Sequence, residues 1–148
     1  MAISKEQWNG IQRTLGDLFC QVRFKLSSGE EITVIKSAIT ENKMALTVWI
    51  DDERSVGWGW PEHDTFRPLT KLVWHRKTFR PGAGIIRRAS KTRDGQRWLK
   101  RKENAHIHEV KEYWECYFST AASLVRQYRR IEGLELVTPV SEVMKNAD

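Results

Sequence analysis

The run CQVRFKLSSGEEITVIKSAITENKMALTVWIDDERSVGWGW, residues 20–60, holds the clearest regularity in the chain. Cys20, Val22, Phe24 and Leu26 alternate with Gln21, Arg23 and Lys25, the two-residue period of a strand with one buried face. Ser27-Ser28-Gly29-Glu30 supplies turn residues, so the next run, through Ile32 and Val34 to about Ile39, returns as a hairpin. Glu41-Asn42 turns into a third strand with Met44, Leu46, Val48 and Ile50 on one face, and Asp51-Asp52-Glu53 makes the following turn. The alternation then predicts a fourth strand, with Val56, Trp58 and Trp60 on one side, Gly57 and Gly59 on the other, and Pro61 as its stop. The glycines leave that second side bare, either for a packed helix or to set Trp58 and Trp60 as an aromatic shelf for a ligand.

Before this meander, Ser4-Lys5-Glu6-Gln7 has the form of a capping box, and Trp8, Ile11 and Leu15 recur at helical spacing up to Gly16. After it, Pro61 to Gly84 is poorly periodic. Leu69 to Phe79 has strand character at a sheet edge, and Ile85 to Lys91 makes one or two helical turns. Ile107, Val110, Trp114 and Tyr117 follow the spacing of a buried helical face. Ser119 or Thr120 caps a further helix bearing Leu124, Tyr128 and Ile131, with Gly133 as its stop. Leu134 to Val140 reads as a closing strand weakened by Pro139, and Ser141 to Asp148 as a frayed tail. The expected class is α+β: an N-terminal helix, a four-stranded antiparallel meander, a basic connecting region, and C-terminal helices packed on one sheet face. One domain over residues 1–140 and a flexible tail over 141–148 follow.

Composition agrees. With 148 residues, 40% hydrophobic and 30% charged, the chain is one domain's worth and too apolar to be wholly disordered or fibrous, which also excludes a large multidomain enzyme. No apolar run approaches the ~20 residues that span a bilayer, and the opening residues lack the hydrophobic centre of a secretory signal, so a cytoplasmic location away from membranes is expected. Cys20 and Cys116 are no disulfide framework and read as buried, reduced thiols.

The formal charge of +6 is unevenly laid out. From Arg67 to Lys102 there are thirteen basic residues and one acid, Asp94, in 36 positions, a net +12; residues 1–66 and 103–148 each carry −3. A bland account pairs this excess with the acidic ends, or makes the stretch a solubilising loop. A polyanion site is the functional account, because Trp74, Phe79 and Trp98 are interleaved with the cations and rings stack on bases while cations meet phosphates. An acidic protein surface is served equally well by the same charges. The residues expected to bind are Arg76, Lys77, Arg80, Arg87, Arg88, Lys91, Arg93, Arg97, Lys100 and Arg101, with Trp74 and Trp98 as stacking groups. Arg93, Arg97, Lys100 and Arg101 fall at i, i+4, i+7 and i+8, which stacks four cations on one helical face, although Gly95 inside the run costs roughly 1 kcal/mol.

Catalytic and metal chemistry finds little footing. His106 and His108 stand at i and i+2, about 200° apart on a helix, and do not chelate one ion there. Gly82-Ala83-Gly84 lacks the third glycine and the preceding strand of a dinucleotide site, and Asp51-Asp52-Glu53 is the composition of a hydrated turn. Arg87-Arg88-Ala89-Ser90 has the form of a basophilic kinase site, a short pattern that chance also produces. No enzyme activity, cofactor or metal is expected.

Met1-Ala2-Ile3-Ser4-Lys5-Glu6-Gln7-Trp8, the Phe66-Arg67-Pro68 step into the basic block, and Tyr113-Trp114 to Phe118 resemble small accessory proteins encoded by tailed bacteriophages and prophages. No activity attaches to that group, so the resemblance carries no functional residue across. It implies a setting in the bacterial cytoplasm. Such proteins bind nucleic acid (DNA or RNA), or bind and inhibit a host protein such as a defence-system component, here through the same basic face.

Overall fold

Ser4 and Gln7 close the capping box reciprocally: Gln7 N donates to Ser4 Oγ at 3.1 Å, and Ser4 N donates to Gln7 Oε1 at 2.9 Å. They start α1, Lys5–Thr14, which buries Trp8 and Ile11. The chain is described by a computed structural model over residues 2–145. The meander follows as β1 (Gln21–Lys25), β2 (Glu31–Thr40) and β3 (Lys43–Ile50), each antiparallel to the next. Gly29, at φ +104°, takes the left-handed turn between β1 and β2, and Asp51 and Asp52 take left-handed conformations after β3, where Asp51 Oδ1 accepts from Glu31 N at 2.9 Å.

The register aligns Val22 with Val34 and Val48, and Phe24 with Ile32 and Ile50. All six are fully buried. Trp8 of α1 stacks on Phe24 at 5.9 Å, and Tyr128 meets Phe24 and Phe118 edge-on at 5.5 and 6.1 Å. Helices therefore cover this sheet face, as the alternation predicts.

The fourth strand does not form where Val56, Trp58 and Trp60 place it. Val56–Gly59 is a 3-10 turn, because Trp58 stacks on Trp74 at 6.3 Å and Gly59 lies against the backbone of Trp114; a Cβ on Gly59 would stand 1.8 Å from Trp114 O. The bare glycine thus accommodates another backbone, but one in a strand, not a helix. The segment read as an edge strand begins as a helical turn, α2 (Thr70–Val73), and continues as β4 (His75–Phe79). The helix predicted through Ile107, Val110, Trp114 and Tyr117 is also replaced. A 3-10 segment spans Lys102–His108, followed by β5 (Lys111–Glu115) and β6 (Tyr117–Phe118), since Trp114, Cys116 and Phe118 alternate inward. β4 and β5 pair in a two-stranded ribbon.

Thr120 caps α5, Ala121–Tyr128, which stops before Ile131. The closing strand is real but short: β7, Glu135–Leu136, pairs with β1, while β6 pairs with β3, giving a five-stranded sheet in the order β6-β3-β2-β1-β7. Pro139 starts a helix where a frayed tail is expected. α6, Val140–Met144, buries Val143, whose carbonyl lies where a Cβ on Gly10 of α1 would clash. The rest of the tail, residues 146–148, lies outside the described residues.

Two compact units result, one of Met1–His75 with Trp114–Asp148 and one of Arg76–Tyr113. In the first, α5 holds α2 through its end: Tyr128 Oη donates to Val73 O at 2.7 Å, and Gln127 Nε2 donates to Leu72 O and Trp74 O, each at 2.8 Å. Burial pushes the Tyr128 phenol well up, so it remains a donor at any physiological pH. Tyr128→Phe leaves Val73 O unpaired in the core and is expected to cost about 1–3 kcal/mol, read as a lowered urea midpoint at unchanged m-value.

Candidate nucleic-acid interface

The second unit gathers most of the charge. Its 38 residues carry twelve basic and four acidic side chains, a net +8, and the remainder of the chain is left at −2. Two short helices organise it. α3 (Ala83–Ala89) and α4 (Arg93–Leu99) are joined by Ser90, Lys91 and Thr92, and Thr92 Oγ1 caps α4 by accepting from Gly95 N at 3.0 Å. Gly95 is no defect in a basic helix. A Cβ there would stand 1.9 Å from Ala89 O, so the glycine permits α3 and α4 to touch. Gly82 does the same against Ile107 O, at 2.3 Å.

Several neutral polar side chains of this unit are used internally. Gln96 Nε2 donates to Ser90 O at 2.9 Å, Asn104 Nδ2 to Trp98 O at 2.8 Å, and His108 Nε2 lies 2.7 Å from Leu99 O; Ser90 Oγ donates to Arg87 O at 3.0 Å. Most of its cations face solvent. Arg76, Lys77, Arg80, Arg87, Arg88, Lys91, Arg93, Arg97, Lys100 and Arg101 are all exposed. Arg76 pairs with Glu112, and Arg101 lies 3.8 Å from Glu103. Among the described residues no carboxylate lies within 4 Å of Arg80, Arg87, Arg88, Lys91, Arg93, Arg97 or Lys100.

The four-cation stripe is interrupted. α4 ends at Leu99, Lys100 is its C-cap residue, and Arg101 turns to an extended conformation at φ −68° and ψ 141°. Arg93 and Arg97 keep their shared face, Lys100 follows at the helix end in a helical conformation, and the helical path stops at Arg101. Trp74 is a clearer correction. It is 1% exposed in the core of the first unit and stacked on Trp58, so it presents no face to a base. Trp98 is half-buried and remains in the second unit. Of the seven tryptophans, Trp8, Trp74 and Trp114 are buried, and Trp49, Trp58, Trp60 and Trp98 are half-buried.

Arg67 and Lys71, at the start of the basic block, belong to the first unit. The Arg67 guanidinium lies 4.6 Å over Trp58, and Lys71 Nζ 5.1 Å from the Trp114 ring. A cationic cluster that charge counting averages away lies in the same unit, at Arg126, Arg129 and Arg130; its signal is their i, i+3, i+4 spacing.

Other candidate chemistry is dispersed. His75 Nδ1 is 4.0 Å from Glu115 Oε1 and stacks on Phe118 at 5.1 Å, and among the described residues no group of three or more His, Cys, Asp or Glu side chains is arranged to hold a metal ion. Cys20 and Cys116 are unpaired and buried, as the sequence leads one to expect, and burial pushes the Cys20 thiol up, keeping it protonated. Among the described residues no helix is long and apolar enough to cross a membrane. No protein-family model, curated protein or solved structure matches this chain.

Proposed function

We propose that this chain binds nucleic acid through the Arg76–Tyr113 unit, as an accessory protein that catalyses no reaction on it. The observation that carries this reading is the run of seven exposed cations, Arg80 to Lys100, with no carboxylate partner in a unit of net +8. Repulsion between exposed charges does not by itself demand an anion, because two cations ~10 Å apart in water repel by only about 0.4 kcal/mol. Attraction to a phosphate backbone is collective, since each neutralised phosphate releases condensed counterions.

The supported mode is contact with the backbone, not readout of bases. Gln96, the neutral side chain on α4 suited to a bidentate base contact, donates instead to Ser90 O, which leaves arginines and lysines facing solvent. Trp98 supplies a ring for stacking next to Arg97.

Fluorescence anisotropy with a labelled 20-mer tests the proposal. For five to seven neutralised phosphates, log affinity should fall with log salt at a slope of roughly −4 to −6 on duplex DNA. A flat slope overturns it. Capture of one acidic host protein that survives nuclease treatment, with no oligonucleotide binding, transfers the basic face to a protein partner.

A further inference from the structure

The first unit carries a cationic groove of its own. Arg126 lies in the last turn of α5, Arg129 is its C-cap residue, and the turn continues with Arg130 N donating to Gln127 O at 3.2 Å. The i, i+3, i+4 spacing brings the three guanidinium groups to one side of the helix end. With Gln12 of α1, Ala122 and Val125, they line a groove of about 600 Å³.

The other arginines of this unit are engaged: Arg23 with Glu31 at 3.0 Å, Arg54 with Tyr117 Oη at 2.7 Å, Arg67 over Trp58, and Arg13 in a contact of its own. Arg126, Arg129 and Arg130 are exposed, and among the described residues none lies within 4 Å of a carboxylate. Glu132 and Glu135 line the adjoining cavity with Arg129 and Arg130 without pairing to them. The dipole of α5 accounts for part of this charge at most, since a helix C-terminus carries about half a negative charge against three positive ones. Gln12 adds an amide donor and Ala122 and Val125 a dry wall, the composition of a site for a polyanion with tetrahedral oxygens.

We propose that the groove between α1 and α5 binds phosphate groups in series. Two sources offer that chemistry, a free polyphosphate such as a nucleoside triphosphate, and consecutive backbone phosphates of a nucleic acid. The second rests on the function proposed above; the first does not.

The test uses the full chain, freed of nucleic acid, with the arginine Nε–Hε resonances followed during titration with sodium tripolyphosphate. Saturable shifts are expected at Arg126, Arg129 and Arg130. They should persist in R93A/R97A and vanish in R126A/R129A/R130A. Gln12→Glu, which places a carboxylate among the arginines and removes none of them, should abolish the shifts as well, so the result does not depend on one variant staying folded. The source is read from the 20-mer. A triple variant whose salt slope is shallower by about 0.9 for each groove phosphate lost identifies backbone phosphates, and an unchanged slope identifies a free polyphosphate. A flat slope in the unmodified protein, with the tripolyphosphate shifts intact, ends the nucleic-acid reading and leaves the groove standing. Absence of shifts at all three arginines, together with an unchanged slope in the triple variant, overturns the proposal.

Discussion

Replacing Arg87, Arg88, Arg93 and Arg97 together with alanine is expected to weaken oligonucleotide binding about a thousandfold at 0.15 M salt, with the salt slope falling from about −5 to between −1 and −2. Each lost phosphate contact removes about 0.9 from the exponent of the salt concentration, so four remove about 3.6, and at 0.15 M that is three powers of ten. These four are chosen because they are exposed on α3 and α4 and make no ion pair among the described residues, so nothing else in the protein depends on them. Alanine is also the better helix former, which keeps the variant folded. The matching lysine variant retains the charge and should retain most of the slope. Arg67→Ala is the contrasting control, because that guanidinium covers Trp58 in the first unit and its loss should be felt in stability instead. Anisotropy titrations over 0.05–0.3 M salt measure all three; an unaltered slope in the fourfold alanine variant would place the binding elsewhere.

Gly59→Ala should lower stability by about 3 kcal/mol, a large part of the 5–15 kcal/mol typical of a whole domain. The added methyl would stand 1.8 Å from Trp114 O, 2.8 Å from its carbonyl carbon and 3.1 Å from the Trp74 ring. Two of those atoms are backbone of β5, which cannot rotate aside as a side chain does. At about 2–4 °C per kcal/mol for a chain of this size, the melting temperature should drop by about 10 °C in a calorimetric scan. Gly84→Ala is the comparison. Nothing lies within 4 Å of a Cβ there, and in α3 the change should be neutral or stabilising by a few tenths of a kcal/mol. Equal melting temperatures for the two variants would contradict the close approach at Gly59.

The elements legible in the sequence are those whose signals are local. Ser4 and Gln7 cap α1 with side chains three residues apart, and the alternation from Val22 to Ile50 survives as three strands because one face meets helices and the other does not. Errors arise where two periods compete. Val56, Trp58 and Trp60 imitate a strand, yet their alternation is with glycines, which contribute no side chain to a second face. Ile107, Val110, Trp114 and Tyr117 match a helix across what are a 3-10 segment and two strands, while the period-two series Trp114, Cys116, Phe118 was present in the same residues. Pro139, which reads as weakening a strand over Leu134 to Val140, is instead the residue before α6. Of the candidate site, the charge was legible because exposed arginines keep their place along the chain. Trp74 was not, since its surroundings are set by Trp58 and Gln127, brought to it from distant sequence.

The first unit is interrupted by 38 residues, and β6 and β7, which flank β3 and β1, lie beyond the interruption. Closing a loop of that length costs about 3 kcal/mol in chain entropy, repaid only when both flanking strands and α5 arrive. During synthesis at ~5–20 residues per second, the meander waits several seconds with both outer strands unpaired and α1 alone over the Phe24 face. A nascent chain with both sheet edges open is exposed to mispairing and to chaperones, and a shortened excursion between His75 and Trp114 would let translation and folding finish closer together.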